Sequence, residues 1–451
     1  MSNLNIDNLK HSQVQIKGGG KVIVLDTGSV IGPEADAMLQ ALHSRSVGGL
    51  EGHLKILSEK GPDNFMKNFY VGYGHKSIGD CGTASLFIEG VSMLAAKAIQ
   101  DWALYSGQES STRYIDFQTQ PFKNITNTKE GEEILEAYRK FYIDAMEPTK
   151  KYLKQQFPLG ENEKEIIYDK AISARAFDTL RGFLPAGSTT NLAWHTNLRQ
   201  AADKIMLLRH HPLEEVKNVA NAIEEALRMA FPNSFGHERY ENTENYNKEW
   251  MEKDYYHHDK NCPDFKIINN SINTDLLPKQ ILENRPIKTE LPKHLAEAGT
   301  LQFEFLLDFG SFRDIQRHRA VSQRMPLLTT EIGFEKWYID ELPKEVRTKA
   351  ELFLREQEKK INNLKISKEE KQYYTAMGYR TSNRLTGNIP ALVYLVELRA
   401  TRFVHPTLRK RAKMMADTLL ELFGKFGLIL HLDKEIDRFD IRRGEQDIVL
   451  K

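Results

Sequence analysis

Two segments of this 451-residue chain share a frame in which Gln opens the segment and Ser closes it. Residues 316–322 read Gln-Arg-His-Arg-Ala-Val-Ser, and residues 100–106 read Gln-Asp-Trp-Ala-Leu-Tyr-Ser. A Gly-Thr pair opens an apolar stretch ahead of each segment, at residues 82–83 and 299–300. We interpret the chain as a tandem duplication, which requires it to fold as two similar units.

The charge balance excludes a general attraction to nucleic acid or to a membrane surface. With 63 basic and 62 acidic residues, the chain has no strong net field, so an anionic ligand has to be held by local arginines. Two cysteines cannot form a dense disulfide framework, and the N-terminus lacks the regions of a signal peptide. No apolar run approaches the roughly 18 residues of a membrane span. These features predict a cytoplasmic protein.

Composition and breakers divide the chain into four segments. Residues 1–21 are polar and end in three glycines, which predicts a flexible lead before a strand at 21–25. Residues 238–290 are rich in Asn, Glu, Lys and Tyr and contain scattered prolines, which predicts that they form the linker that joins the two repeats. The first repeat is then 22–237 and the second is 291–451.

Local patterns predict an α+β unit that occurs twice. Period-two alternation predicts a half-buried strand at 301–307, followed by a helix with Ser311 as its N-cap. Ser92 is the expected cap of the matching helix in the first half. Apolar periodicity predicts later helices at 194–209 and 390–402.

Arginines stand out in three groups, at Arg113, at Arg181 with Arg199 and Arg209, and at Arg317 with Arg319. The planar guanidinium suits phosphate, and two or more are needed to hold a dianion. A purely structural alternative remains open, because basic residues in the last turn of a helix are favoured by its dipole.

The two related segments together resemble the signature of the flavin-dependent thymidylate synthases. That signature reads Arg-His-Arg, two residues, Ser, one residue, Asn-Glu, one residue, Ser, one residue, Arg-Tyr. Its front matches residues 317–322 and its back matches residues 106–114, with Gln108 for the usual Asn. The motif is therefore divided between the predicted repeats.

Further matches extend the resemblance over about two thirds of the chain. Residues 74–80 are similar to the family's early His-x-Thr/Ser segment, and residues 181–185 are similar to its Arg-x-x-Leu-Pro segment. The second half departs from the pattern, because Pro390 replaces the Arg expected after Asn388 and no Arg-x-x-Leu-Pro is present. One half would then serve the substrate and the other the flavin.

The resemblance implies a fold, an assembly and a set of site residues. It implies two tandem copies of an antiparallel sheet with helices, forming a pseudo-dimer, and two chains would give a homodimer equivalent to the family's tetramer. The implied dUMP-binding residues are Glu109, Ser111, Arg113, Arg181, Arg209, Gln316, Arg317 and Arg399. The implied FAD-binding residues are His75, Ser77, Asp80, Asn197, Arg199, Arg317, His318, Arg319 and Ser322. Arg317, Ser111 and Arg209 are the implied catalytic residues.

The implied reaction is the methylation of dUMP to dTMP. Methylenetetrahydrofolate donates the carbon, and FAD reduced by NADPH supplies the hydride, so no cysteine nucleophile is needed. Cys81 and Cys262 lie in no nucleophile motif. We also predict no metal site, because residues 257–262 lack zinc-motif spacing.

Two alternatives remain open at this point. Gln108 and the altered second half leave room for an FAD- and folate-dependent methyltransferase that acts on another uridylate-like acceptor. A nucleotide-binding protein without catalysis is the other, since fold does not fix function. The complementary losses in the two halves favour an enzyme.

Overall fold

The computed structural model describes residues 10–25, 32–43, 49–72, 76–113 and 116–434. The chain folds into two compact units. Unit 1 contains residues 1–110 and 189–255, and unit 2 contains residues 111–188 and 256–451. The second unit therefore takes in a segment of the predicted first repeat.

The β-strands of the described residues are, in chain order, β1 (His11–Gln15), β2 (Lys21–Leu25), β3 (Thr83–Ser92), β4 (Ser106–Glu109), β5 (Thr189–Asn197), β6 (Tyr256–His257), β7 (Phe265–Asn270), β8 (Leu301–Asp308), β9 (Ser322–Gln323), β10 (Met325–Pro326) and β11 (Arg380–Gly387).

The α-helices of the same residues are α1 (Pro33–His43), α2 (Gly49–Lys60), α3 (Asp63–Phe65), α4 (Lys76–Gly79), α5 (Met93–Gln100), α6 (Lys129–Gln156), α7 (Glu165–Leu180), α8 (Leu198–Leu208), α9 (Glu214–Ala230), α10 (Glu241–Asp254), α11 (Lys279–Glu283), α12 (Phe309–Ile315), α13 (Lys336–Asp340), α14 (Lys344–Asn363), α15 (Lys368–Lys371), α16 (Ile389–Arg399) and α17 (Pro406–Phe423). None of them combines the length and the apolar composition of a membrane span.

Unit 1 is built on an antiparallel sheet with the strand order β1-β2-β3-β5-β4. Alternate residues of β3, among them Leu86 and Ile88, are fully buried because one face of the sheet packs on helices. On β1 the Ser12 hydroxyl donates to the Ala226 carbonyl oxygen of α9 at 2.9 Å. β1 lies in the stretch predicted to be a flexible lead, and its pairing with β2 orders that part of the chain.

Unit 2 contains a second antiparallel sheet, with the strand order β7-β8-β11-β9. The strand predicted at 301–307 is confirmed as β8, but it is buried on both faces rather than one. Helices α12 and α17 pack against it. The edge strand β7 comes from residues 238–290, so the predicted join contributes to a sheet.

The two sheets repeat the same local plan. In each, a long strand leads into a short buried helix, and a later strand pairs with that strand on one side and with a short strand on the other. Ser106 faces His195 in unit 1, and Ser322, its counterpart in the sequence, faces Thr386 in unit 2. The sequence likeness therefore has a matching strand register.

A symmetric hydrogen-bond pattern also occurs inside unit 2, where Pro185 pairs antiparallel with Ala376. The Gly187 amide donates to Tyr373 at 3.0 Å, and the Gly378 amide donates to Gly182 at 2.8 Å. These bonds correspond to one another when the two segments are exchanged, which is the local pattern of a two-fold axis.

The predicted helix boundaries need three corrections. Ser92 caps α5 as predicted, accepting from the Ala95 amide at 3.0 Å. Asp308, not Ser311, caps α12, because the helix begins at Phe309, directly after the last residue of β8. Residues 194–197 lie in β5, so α8 begins only at Leu198. The helix predicted at 390–402 ends at Arg399.

Candidate functional site

Arg317, His318 and Arg319, which we call the basic triplet, follow the short helix α12 in unit 2. The Asp308 carboxylate accepts from the Ser311 amide at 2.8 Å and from the Tyr338 hydroxyl at 2.7 Å, and all three residues are buried. These bonds fix the start of the helix. Gln316 is its buried C-cap, and Arg317 emerges from its end with a half-exposed side chain.

Asp314 lies one turn before Arg317 and faces several guanidinium groups. Its carboxylate is 3.8 Å from Arg181 and 3.9 Å from Arg317. Burial raises the pKa of Asp314, but the charges of the surrounding arginines outweigh burial, so the pKa lies below its ordinary value. Those arginines are Arg181, Arg317, Arg113 and Arg399. We call these four residues the arginine cluster.

Arg181 is the buried member of the cluster, with 2% of its surface exposed. It donates to the Ser311 hydroxyl at 3.0 Å. That hydroxyl contacts the Thr407 hydroxyl at 2.7 Å, and Thr407 contacts His405 Nδ1 at 2.9 Å. A buried guanidinium held by such a network has few alternative positions, so Arg181 is preorganised.

Arg113 is fixed by a bidentate ion pair. Its Nε and one terminal nitrogen donate to the two Asp178 oxygens at 2.7 and 2.9 Å. The other terminal nitrogen donates to the Phe403 carbonyl oxygen at 3.0 Å. The nearby hydroxyl of Ser111, an implied catalytic residue, accepts from the Arg113 amide at 3.2 Å. Arg113 therefore turns both edges of its guanidinium toward protein oxygens.

His318 connects the triplet to the fourth arginine. Arg399 Nε donates to His318 Nε2 at 2.7 Å, so this ring nitrogen is an acceptor and the imidazole is neutral. Burial, followed by the charge of Arg399, lowers the pKa of His318 to about 3. The ring also meets Tyr394 edge-on. His318 thus holds Arg399 in its place in the arginine cluster without adding charge.

The remaining predicted residues of unit 2 lie on its surface. Arg319 and Ser322 are exposed. Ser322 lies in β9 and pairs with Thr386 of β11. Arg319, the last residue of the basic triplet, thus exposes its side chain to solvent.

Unit 1 holds a second group of predicted residues. Arg199 donates to Asp80 at 2.8 Å, and the Asn197 side chain caps α8 by accepting from the Gln200 amide at 2.8 Å. Ser77 is exposed in α4. His75 lies outside the described residues.

A cavity of about 300 Å³ lies in unit 1 and includes Arg199 and Arg209 in its wall. Tyr70, Phe235 and His237 supply aromatic surface there. Arg209 donates hydrogen bonds to the carboxylate of Glu244, and that carboxylate also contacts His210 at 2.6 Å. The Arg209 guanidinium lies 3.7 Å from the Glu224 carboxylate. The charge of Arg209 is therefore balanced inside unit 1, and its substrate role stays a prediction.

Glu109 is also engaged inside unit 1. Its carboxylate accepts from Lys97 at 2.6 Å and from Gln100 at 2.8 Å, and the side chains of Lys97 and Glu109 are almost fully buried. Such a pair stabilises a core only while both partners are present. The assignment of Glu109 to substrate likewise stays a prediction.

The structure adds residues that sequence reasoning missed, namely Asp178, Asp308, Ser311 as an arginine partner, Asp314 and His405. Asp314 was detectable, because it precedes Arg317 by three residues on a predicted helix. Asp178 gave no local signal, since it meets Arg113 from 65 residues away. Among the described residues, no group of His, Cys, Asp and Glu has the arrangement of a metal site.

Comparisons with known proteins agree with the resemblance. Residues 34–233 match the family model described as thymidylate synthase complementing protein. The match covers 200 of the 451 residues, a little under half of the chain. The match confirms the resemblance to flavin-dependent thymidylate synthases, and it supports a thymidylate synthase-like enzyme of nucleotide metabolism.

The full-length relatives carry the name UPF0159 protein. One from Chlamydia muridarum is 25% identical, covering 79% of this chain and 78% of the relative. One from Chlamydia pneumoniae is 24% identical over 80% of each chain. One from Thermoplasma acidophilum is 22% identical over 83% of this chain and 90% of its own. This chain is thus similar to proteins of comparable length, beyond the family segment.

Proposed function

We propose that this chain methylates dUMP to dTMP, with methylenetetrahydrofolate as the carbon donor and NADPH-reduced FAD as the hydride source. The observation that carries the proposal is the arginine cluster. Arg113 and Arg181 come from the first half of the sequence and Arg317 and Arg399 from the second, yet all four act on Asp314 in unit 2. A site composed of both predicted repeats is what the divided motif requires.

The charge of the cluster suits a nucleotide phosphate. Four guanidinium groups outnumber the three carboxylates beside them, those of Asp178, Asp308 and Asp314, which leaves an excess of positive charge. Preorganised arginines bind phosphate oxygens in a planar, bidentate geometry. Burial and the Ser311 contact hold Arg181 ready for this role before the ligand arrives.

Arg317 is the residue that we assign to the reacting pyrimidine. Its guanidinium is half-exposed and its contact with Asp314, at 3.9 Å, is loose. A fixed positive charge beside the uracil would stabilise negative charge that develops on the ring. Ser111, two residues from Arg113, would hold the same nucleotide.

The state of the cysteines supports a reaction without a protein thiolate. Burial raises the pKa of Cys81, and burial followed by the charge of Glu304 raises the pKa of Cys262 to about 11. A thiol is a strong nucleophile only as the thiolate, so neither cysteine is activated at neutral pH.

The donor chemistry fits a phosphorylated cofactor such as FAD. In unit 2, Arg317 and Arg319 offer exposed guanidiniums, and His318 and Ser322 would supply polar contacts. In unit 1, Arg199 lines a cavity with aromatic walls, and Ser77, Asp80 and Asn197 would supply polar contacts, together with His75. Bound reduced flavin would supply the hydride, and the chain would orient it and exclude water.

The matching strand orders and registers support a duplicated chain. Each chain would then be a pseudo-dimer with half of the ancestral sites, and two chains would form a homodimer. Each composite site needs the front of the signature from one half and the back from the other. Each half could therefore lose the part that its partner supplies, which explains why the two halves diverged.

The test is the visible spectrum of purified protein during anaerobic NADPH addition, with and without dUMP, followed by an assay for dTMP once methylenetetrahydrofolate is added. Bleaching of bound flavin and formation of dTMP are expected. Bound flavin that dUMP does not affect would indicate another acceptor. A protein that takes up no FAD on reconstitution would indicate a nucleotide-binding protein without catalysis.

A further inference from the structure

Asp314 is a carboxylate in the middle of a site that otherwise attracts anions. Its distances to Arg181 and Arg317, 3.8 and 3.9 Å, are those of ion pairs rather than hydrogen bonds. The side chain is about one-fifth exposed, so it remains accessible. Asp178, by comparison, is buried and fully engaged by the two hydrogen bonds from Arg113.

The carboxylate occurs only where the basic triplet occurs. When residues 100–106 are aligned with 316–322, Ala98 corresponds to Asp314 and Asp101 corresponds to Arg317. The first half therefore has neither the arginine nor the carboxylate one turn before it. This co-occurrence suggests that Asp314 serves the triplet and not the fold of the helix.

We propose that Asp314 is a specificity-determining residue, which adapts the arginine cluster to a phosphate monoester and disfavours a diphosphate. The inference rests on the proposed nucleotide function. The Asp314 carboxylate lies among the guanidiniums that would hold the phosphate, so it repels any anion bound there.

The physical basis is that repulsion by Asp314 grows with the charge of the ligand. A phosphate monoester carries up to two negative charges, and a diphosphate carries about one more. At a partly exposed site, with an effective dielectric constant of about 40 between the surface value and that of water, one further unit charge about 6 Å from a carboxylate changes affinity by roughly tenfold. Asp314 should therefore create about a tenfold preference for the monoester.

The experiment measures the dissociation constants of deoxyuridine, dUMP and dUDP by titration calorimetry. It compares the wild type with Asp314→Asn, which keeps the shape and removes the charge. Asp340→Asn is the control, because Asp340 has a similar loose ion pair, with Lys336 at 3.7 Å, and a half-exposed side chain. Thermal unfolding checks that each variant is folded.

We expect the wild type to bind dUMP more tightly than dUDP or deoxyuridine. In Asp314→Asn the ratio of the dUDP to the dUMP dissociation constant should fall about tenfold, and in Asp340→Asn it should not change. An unchanged ratio in folded Asp314→Asn overturns the proposal. So does a wild type that binds dUDP at least as tightly as dUMP, a result that needs no variant.

Failure of the proposed function would look different. A wild type that binds none of the three nucleoside ligands would reject the nucleotide site itself. Titration with inorganic phosphate and pyrophosphate then still tests the role of Asp314, because these anions probe the charge of the cluster without a base. Equal preference in the wild type and Asp314→Asn for these two anions would refute that role as well.

Discussion

Replacing Arg317 by Ala should strongly lower turnover and leave the fold intact. Arg317 follows the C-cap of α12 and has a half-exposed side chain, and its contact with Asp314, three residues earlier in the chain, is 3.9 Å long. Exposed ion pairs of this kind contribute up to about 0.5 kcal/mol to stability after solvent screening. The free energy of unfolding in urea should therefore change by no more than about 0.5 kcal/mol.

The same change should lower kcat for dTMP formation by about 10² to 10³, which corresponds to about 3 to 4 kcal/mol of lost transition-state stabilisation. The assay is dTMP production with saturating dUMP, methylenetetrahydrofolate and NADPH. Arg317→Lys keeps a charge but loses the planar fork, so it should lie between wild type and Ala.

Asp101→Ala is the matched control, because Asp101 holds the corresponding position in the first half. It should leave turnover nearly unchanged. Equal losses in Arg317→Ala and Asp101→Ala would refute the divided site. An Arg317→Ala enzyme with more than half of the wild-type rate would refute the assignment of Arg317 to the pyrimidine.

Three further variants test the cluster and its surroundings. Arg113→Ala should raise the Kd of dUMP at least tenfold, or about 1.4 kcal/mol, and an unchanged Kd by calorimetry contradicts the assignment. Because the change leaves Asp178 buried without the charge of Arg113, the double variant Arg113→Ala/Asp178→Asn should recover stability but not affinity. Lys97→Met should lower the free energy of unfolding by about 3 to 5 kcal/mol, since it leaves the Glu109 carboxylate buried without the positive charge of Lys97. Lys97→Met/Glu109→Gln should restore part of that loss in urea denaturation, and single and double variants of equal stability would speak against a buried ion pair. The pKa of His318 is lowered to about 3 in the folded chain. Between about pH 3 and 6.5 the unfolded chain therefore binds a proton at this imidazole that the folded chain does not bind. The folded state keeps its full stability above about pH 6.5 and loses stability as the pH falls below that value. Relative to His318→Gln, the free energy of unfolding of the wild type should fall by about 2 kcal/mol between pH 7.5 and pH 5. Parallel profiles of unfolding free energy against pH for the two proteins would show that the imidazole is not held neutral.

Much of the local structure could be predicted from the sequence. The strand at 21–25 and the cap at Ser92 follow from short-range patterns, and both occur in the structure. The boundaries that failed depend on pairing across the sheet. Residues 194–197 have a helical apolar pattern, but β5 needs them as partners of β3 and β4.

The sequence named the four arginines but not their arrangement. The resemblance pointed to Arg113, Arg181, Arg317 and Arg399, which lie around Asp314 in the structure, and their roles stay predictions. It also selected Glu109 and Arg209, whose side chains have partners within unit 1. A motif records which residue types are present, whereas burial and counter-charges depend on which distant residues pack beside them.

The repeated order of strand and helix, the divided signature and the absence of a thiol motif are readable from the sequence, because they depend on neighbouring residues and their spacing. Three contacts required the folded structure: Asp178 fixes Arg113, Asp308 and Tyr338 set the start of α12, and Asp314 lies among four arginines. These contacts join residues far apart in the chain, and packing determines which of them form. The physical reason is that an electrostatic site is defined by distance and burial, which no local pattern encodes.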